Sequence, residues 1–294
     1  MKALAPRAVL ELAPAGTPEP ERGPTSPSES AGQARARRIV IDLHHHLLPG
    51  IDDGPATLAE SISAAEVAAA DGVRVIAATP HLREDHPGVR PQELAARCEE
   101  LRAHLAERGT PVEVVPGGEV DLAWAQEASE EGLRLVSYGQ RGSDLLLETP
   151  YGPLPGTFEA LLFSIQVRGY RILLAHPERN PTFQSDPARL VALVARDVLV
   201  QVSAGALVSG RRNSPLRRLT LRLIERGMCH VIASDSHGPS LRRGSLSRAV
   251  VEAERTVGEA ARQMVTAAPE AILAGEPVSA PSNSRSWRRR FSRS

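Results

Sequence analysis

The chain has 294 residues, 41% of them apolar and 3% aromatic, and its 35 lysines and arginines balance 35 aspartates and glutamates. That length allows one large domain or two small ones, and the balanced charge argues against nucleic acid as a partner and against a strong pull toward a membrane. No run reaches the roughly 18 to 20 apolar residues of a membrane helix. Pro6, Arg7 and Glu11 interrupt the first apolar stretch, so no signal-peptide core is expected and the protein is read as cytoplasmic.

Residues 1–37 are rich in Pro, Ala, Ser and Glu without periodicity, which predicts a disordered arm. From residue 38 to about 275, short apolar runs alternate with amphipathic ones. Strands are expected over 39–44, 73–80, 112–116, 144–149, 171–176, 198–202 and 229–234, each apolar enough to be buried on both faces. Helices are expected over 57–71, 91–108, 157–168, 187–195 and 214–226. Gly72, Gly109, Gly169 and Gly227 stand just past four of them, where a left-handed cap favours glycine. Such repeats predict a single-domain α/β fold with a parallel sheet, open or closed into a barrel. The tail, 276–294, carries Arg285, Arg288, Arg289, Arg290 and Arg293 beside Trp287 and Phe291. It reads as a solvated, disordered segment, with weak contact to an anionic surface as the alternative.

Cys98 and Cys229 fall in a helix-like and a strand-like segment, as inert core thiols do. A cysteine-dependent phosphatase needs an arginine six residues after its thiolate. Those places hold His104 and Asp235, so that nucleophile is excluded.

Polar residues gather at the C-terminal ends of the expected strands. Asp42, His44 and His46 alternate on the first, so regular pleating predicts that all three share a face, with His45 turned away in a structural role. His81 ends the second strand, Glu119 follows Gly117-Gly118 after the third, and Glu148 ends the apolar run Leu145-Leu146-Leu147. His176 closes the fifth strand, and Asp235 and His237 follow the last. A carboxylate at the end of a buried run is costly unless paired with a cation, and imidazoles with carboxylates suit Zn, Mn or Fe. Strand ends converge on one face of a barrel, where barrel active sites lie, whereas an open sheet would spread these groups along an edge. A barrel holding several metal ions is therefore expected.

These motifs in this order resemble the polymerase-and-histidinol-phosphatase (PHP) superfamily. Asp-x-His-x-His-x-Leu-Pro-Gly-x-Asp-Asp-Gly runs from Asp42 to Gly54, and Leu48-Pro49-Gly50-Ile51-Asp52-Asp53-Gly54-Pro55 is similar to its bacterial tyrosine-phosphatase branch, associated with capsule and exopolysaccharide synthesis. Thr79-Pro80-His81, Gly118-Glu119, Ala175-His176-Pro177-Glu178-Arg179 and Ser234-Asp235-x-His237 match in order and spacing. The resemblance spans about Ile39 to Ala274. It implies a distorted seven-stranded (β/α) TIM-like barrel, the PHP fold, with three divalent ions, commonly manganese, Fe or Zn being alternatives.

Carried over, His44, His46, Glu119 and Asp235 hold a first ion; Glu119, Glu148 and His176 a second; Asp52, His81 and His237 a third. The chain departs from a frequent pattern at Leu82, where a second histidine often follows the first. Arg179 and Arg242 match arginines that the family uses on phosphate, and their fork geometry suits bidentate binding. Three dications against Asp52, Glu119, Glu148 and Asp235 leave about two positive charges, which a phosphate monoester would neutralise. The implied reaction is hydrolysis of a phosphomonoester by metal-bound hydroxide. Asp53 is the candidate general acid, although a phenolate leaving group, with pKa about 10, needs little help.

The tyrosine-phosphatase signature points to phosphotyrosine in proteins, with a bacterial tyrosine kinase of capsule synthesis as the implied partner. A small-molecule phosphatase such as histidinol-phosphate phosphatase, a PHP nuclease and a non-catalytic regulatory barrel are the alternatives.

Overall fold

The computed structural model describes residues 39–209, 213–240 and 245–278. The expected arm, nearly all of the Arg-rich tail and Arg242 lie outside the described residues. The strands are β1 (Val40–His45), β2 (Val73–Ala78), β3 (His81–Leu82), β4 (Glu113–Pro116), β5 (Glu119–Val120), β6 (Asp144–Glu148), β7 (Arg171–Ala175), β8 (Leu199–Ser203) and β9 (Val231–Ala233). They form two sheets, in the orders β1-β2-β4 and β3-β5-β6-β7-β8-β9, and every pairing is parallel.

Two expected strands are interrupted, and local chemistry explains both breaks. The run 73–80 ends as β2 at Ala78 and, after Thr79-Pro80, resumes past its expected end as β3, because proline has no N–H for the ladder. The third strand continues past its expected end as β5 after Gly117-Gly118. A side chain at Gly118 would run into Leu82 Cδ2 and lie 3.2 Å from Val136 Cβ. Only glycine lets β5 approach β3 that closely.

At the far end of the order, β9 lies against β1. Asp235 N donates to His44 O at 2.8 Å and His46 N to Ser236 O at 2.9 Å, and a parallel bridge links His45 with Ser236.

Both faces of β6, β8 and β9 are buried, as their apolar runs require, whereas β2 and β4 expose Arg74 and Glu113. Leu145, Leu147, Ile172, Leu174, Val200 and Val202 belong to the larger core cluster, which they share with residues of the flanking helices such as Leu101, Leu162 and Leu223. The alternate positions Ile41, Leu43, Leu146, Leu173, Leu199 and Val231 form the smaller cluster with Tyr138 and Ile272. Helices close to the expected bounds run over Leu58–Ala70, Leu94–Glu107, Phe158–Val167, Pro187–Val194 and Pro215–Glu225. Thr57 and Ser214 cap the first and last of these by accepting from the N–H of Glu60 and Arg217, which satisfies a donor the helix itself leaves unpaired. Among the described residues no helix is long and apolar enough to cross a membrane.

Candidate metal centre

The first strand does not alternate regularly. Its register against β2 shifts between Asp42 and His45, and a bulge re-aims the residues around it. Asp42 consequently does not share a face with His44 and His46. Asp42 and His45 both line a small cavity behind the strand with Ala64, Val67 and Ala68. Three polar contacts hold the bulge. Tyr138 Oη donates to Leu43 O at 2.8 Å, His45 N to Thr79 Oγ1 at 3.0 Å, and Ser234 N to Asp42 Oδ1 at 2.9 Å. Asp42 is thus a strap between β1 and β9, and burial pushes its carboxyl up to about 6 against the Ser234 hydrogen bonds.

His44 and His46 point instead into a buried cluster around Glu119. Glu119 Oε2 lies 3.0 Å from His44 Nε2, 3.2 Å from His46 Nε2 and 3.3 Å from His81 Nδ1. Its other oxygen, Oε1, faces His176 Nε2 at 2.8 Å. Asp235 Oδ1 stands 3.3 Å from His44 Nε2, and Glu148 Oε2 3.7 Å from His81 Nδ1. Three overlapping sets of ligand atoms result: His44, Glu119, His176 and Asp235; His81, Glu119 and Glu148; His46, Asp53, His81 and His237. The structure groups His176 with His44 and Asp235 and sets Glu148 beside His81.

Of the two aspartates in the Asp52-Asp53-Gly54 turn, Asp52, the expected ligand, does not join the cluster's ligand atoms, and Asp53, the expected acid, does. Asp52 sits behind His46, its Oδ2 accepting from Nδ1 at 2.7 Å and from His81 N at 3.2 Å, while Oδ1 accepts from Gly54 N at 3.0 Å. A Cβ at Gly54 would come 2.7 Å from His46 O, so this turn requires glycine. Asp53, half exposed, is the one that faces the cluster, 3.4 Å from His237 Nε2 and 3.6 Å from His81 Nε2. Residues of opposite facing alternate along so tight a turn, and the spacing of Asp-Asp does not tell which faces inward.

The backbone is strained where two of these side chains leave their strands. His176 (φ 34°) and Asp235 (φ 52°) adopt left-handed conformations that non-glycine residues rarely take. Such strain persists where the surroundings hold it, typically at functional sites. Arg179 ends the one-turn helix Pro177–Arg179 and makes an ion pair with Asp235 Oδ2.

Two further residues have no signal in the sequence. Gln201, in the middle of β8, receives His44 Nδ1 at Oε1 (3.1 Å). Arg83 places Nη1 3.0 Å from Glu148 Oε1. A strand-interior glutamine and a loop arginine are ordinary until the partners are seen.

With Nδ1 of His44 donating to Gln201 and Nδ1 of His46 to Asp52, both Nε2 lone pairs converge on Glu119 Oε2, 3.2 Å from each other. Acceptors crowded in this way repel unless a cation or proton lies among them. Asp235 Oδ1 and His81 Nδ1 are also buried without a hydrogen-bond partner. The donor set therefore fits divalent metal, with Gln201 and Asp52 orienting the imidazoles from behind. The titration of these groups carries the same imprint. Burial disfavours the His46 cation, yet hydrogen bonds to Asp52 and Glu119 push its pKa up to about 10. Burial would likewise raise Asp235, yet the charges of His44, His176 and Arg179 hold it down at about 2. Burial and the Glu119 charge raise Glu148 to about 7. The acidic groups supply a field that favours positive charge at their centre.

The cysteines take no part. Both are free and buried, and burial pushes the Cys98 thiol up to about 12 and the Cys229 thiol higher still.

Residues 40–274 match the family described as "Capsular polysaccharide synthesis, CpsB/CapC". The chain belongs to that family. This member is 30% identical over 239 residues to the tyrosine-protein phosphatase YwqE of Bacillus subtilis strain 168, covering 81% of the chain and 93% of the relative. It is 24% identical over 241 residues to the tyrosine-protein phosphatase CpsB of Streptococcus agalactiae serotype III (strain NEM316), covering 80% and 98%. Its fold superposes with a TM-score of 0.72 and 29% identity on a solved structure from work on YwqE from Bacillus subtilis and CpsB from Streptococcus pneumoniae, described as unique metal-dependent tyrosine phosphatases. That match covers 82% of this chain and 96% of the other.

Proposed function

We propose that the protein is a metal-dependent protein-tyrosine phosphatase acting on a bacterial tyrosine kinase or its substrates in capsule or exopolysaccharide synthesis. The observation that carries the reading is the convergence of His44, His46, His81, Glu119, Glu148, His176, Asp235 and His237 on one buried cluster, in a chain of the capsular CpsB/CapC family. We further propose a closed seven-stranded barrel in which β2 with β3, and β4 with β5, count as single interrupted strands. The β9–β1 hydrogen bonds support that closure. A tyrosine kinase draws on cytoplasmic ATP, so we assign the phosphatase to the same compartment.

Three divalent ions, manganese first among them, suit the three overlapping ligand sets, with Glu119 common to two of them. Asp53 rather than Asp52 joins His81 and His237 as a ligand, and Asp52 orients His46. Bound divalent ions lower the pKa of coordinated water and stabilise charge on phosphoryl oxygens. Arg179, beside Asp235 at the open side of the cluster, is placed to take two phosphate oxygens in its fork. Asp53 is then committed to binding rather than to proton transfer. A phenolate, whose conjugate acid has a pKa of about 10, leaves without a strong acid behind it. This favours aryl over alkyl phosphates.

The test is hydrolysis of a phosphotyrosine peptide by purified protein before chelation, after chelation and after manganese is restored, with elemental analysis of each sample. Loss and recovery of activity are expected. Undiminished turnover by protein shown to be metal-free would refute the proposal. Faster turnover of histidinol phosphate, or cleavage of single-stranded DNA, would move the substrate elsewhere in the superfamily.

A further inference from the structure

The loop after β6 carries an exposed aromatic ring on a tightly held backbone. Tyr151 is 64% exposed, and a lone exposed tyrosine is ordinary. Its attachment is not. The carbonyls on either side, Pro150 O and Gly152 O, both accept from the side-chain amide of buried Asn180, at 2.7 and 2.8 Å. Leu154 N donates to Thr182 Oγ1 at 3.1 Å. Asn180 directly follows Arg179, so the loop and the phosphate-binding arginine share one anchor.

The side chain also has a fixed neighbour. The Tyr151 ring stands next to Arg83, and Arg83 reaches Glu148 of the cluster. The Arg83 guanidinium is fixed in turn, with Nε 2.6 Å from Asp85 Oδ1 and Nη1 3.0 Å from Glu148 Oε1. Its central carbon stands 5.7 Å from the centroid of the Tyr151 ring, a cation–π distance. The ring thus stands at the edge of the cluster with the guanidinium over it, while most of the side chain stays open to solvent.

We propose that Tyr151 is a specificity-determining residue that recognises the aryl group of the substrate, its open ring surface packing against the phenyl ring of phosphotyrosine. The inference rests on the phosphatase reading and names what that site selects. Phosphotyrosine has its polar group and its backbone at opposite ends of the ring, as Tyr151 does. With the phosphate at the cluster and the Tyr151 ring beside Arg83 at its edge, the two rings lie alongside in an offset or edge-to-face contact. An alkyl phosphate brings no ring and gains nothing from this wall.

The test uses full-length, manganese-loaded wild type, Tyr151→Ala and Tyr151→Phe. Kinetics are measured on one peptide in phosphotyrosine and phosphoserine forms, and equilibrium binding with benzylphosphonate and methylphosphonate. Tyr151→Ala is expected to raise KM for the phosphotyrosine peptide about 3- to 10-fold, the worth of one aromatic pair, with kcat little changed. It should weaken benzylphosphonate by a similar factor and leave the phosphoserine peptide and methylphosphonate unaffected. Tyr151→Phe keeps the aryl preference. Equal losses on both peptides, which a purely structural role through Arg83 and Glu148 predicts, overturn the inference, as does no change at all. If wild type fails to turn over phosphotyrosine yet binds benzylphosphonate in a Tyr151-dependent way, the phosphatase reading falls and the aryl wall stands.

Discussion

Asp52→Asn separates an orienting residue from a ligand. In the structure the Asp52 carboxylate accepts three hydrogen bonds, from His46 Nδ1 at 2.7 Å, His81 N at 3.2 Å and Gly54 N at 3.0 Å. An asparagine can keep its oxygen toward His46 and His81, but its amide then faces the Gly54 N–H, donor against donor. Leaving that part-buried donor unsatisfied costs up to about 1–3 kcal/mol, and removing the negative charge behind His46 makes its Nε2 a poorer metal donor. Changes behind a ligand typically weaken metal affinity about 10- to 100-fold. Manganese titration by calorimetry, with elemental analysis at saturation, should therefore show weaker binding at unchanged stoichiometry. A full equivalent of metal lost at saturation, with the remaining ions bound as tightly as in wild type, would refute the orienting role and make Asp52 a ligand. An unchanged affinity would refute both.

Gly118→Ala should unseat β5 from β3, because the new methyl meets the fully buried Leu82 side chain and sits 3.2 Å from Val136 Cβ. Overpacking of this kind costs about 1–3 kcal/mol, read from urea unfolding, and phosphatase activity should fall with it because Glu119 is the next residue. His230 gives a pH signature away from the cluster. Burial lowers its pKa from 6.5 to about 4, and its Nδ1 accepts from Val200 N at 3.0 Å, a bond that protonation destroys. The folded-state pKa is depressed, so this contribution is complete above pH 6.5. It declines as pH falls toward 4, where the unfolded chain takes up a proton that the folded one refuses. The slope is about 1.4 kcal/mol per pH unit, near 3 kcal/mol in all. Chemical unfolding at pH 7 and 4.5 should show a smaller acid loss for His230→Gln than for wild type, and equal losses would contradict the assignment.

Much of the site was legible because its chemistry is local. A histidine or carboxylate that ends a buried apolar run, as His81, Glu148 and His176 do, announces itself in a single sequence. The strand and helix periods likewise placed the main elements within a few residues. Facing was less legible. Strict alternation would put Asp42 beside His44, but the bulge held by Thr79, Tyr138 and Ser234 turns it to the rear cavity. Those partners come from elsewhere in the chain, so no local pattern encodes the bulge.

The sequence by itself determined the residue types of the centre, their order along the chain and the parallel α/β plan, because strand ends and apolar periods are written in neighbouring residues. The tertiary structure alone decided which of Asp52 and Asp53 meets the cluster, that Gln201 stands behind His44, and that Asn180 holds the loop of Tyr151 while Arg83 stands over its ring. Each depends on distances between segments far apart in the chain. Whether a polar side chain is a ligand, a support or solvated is decided by the atoms opposite it, and folding supplies those.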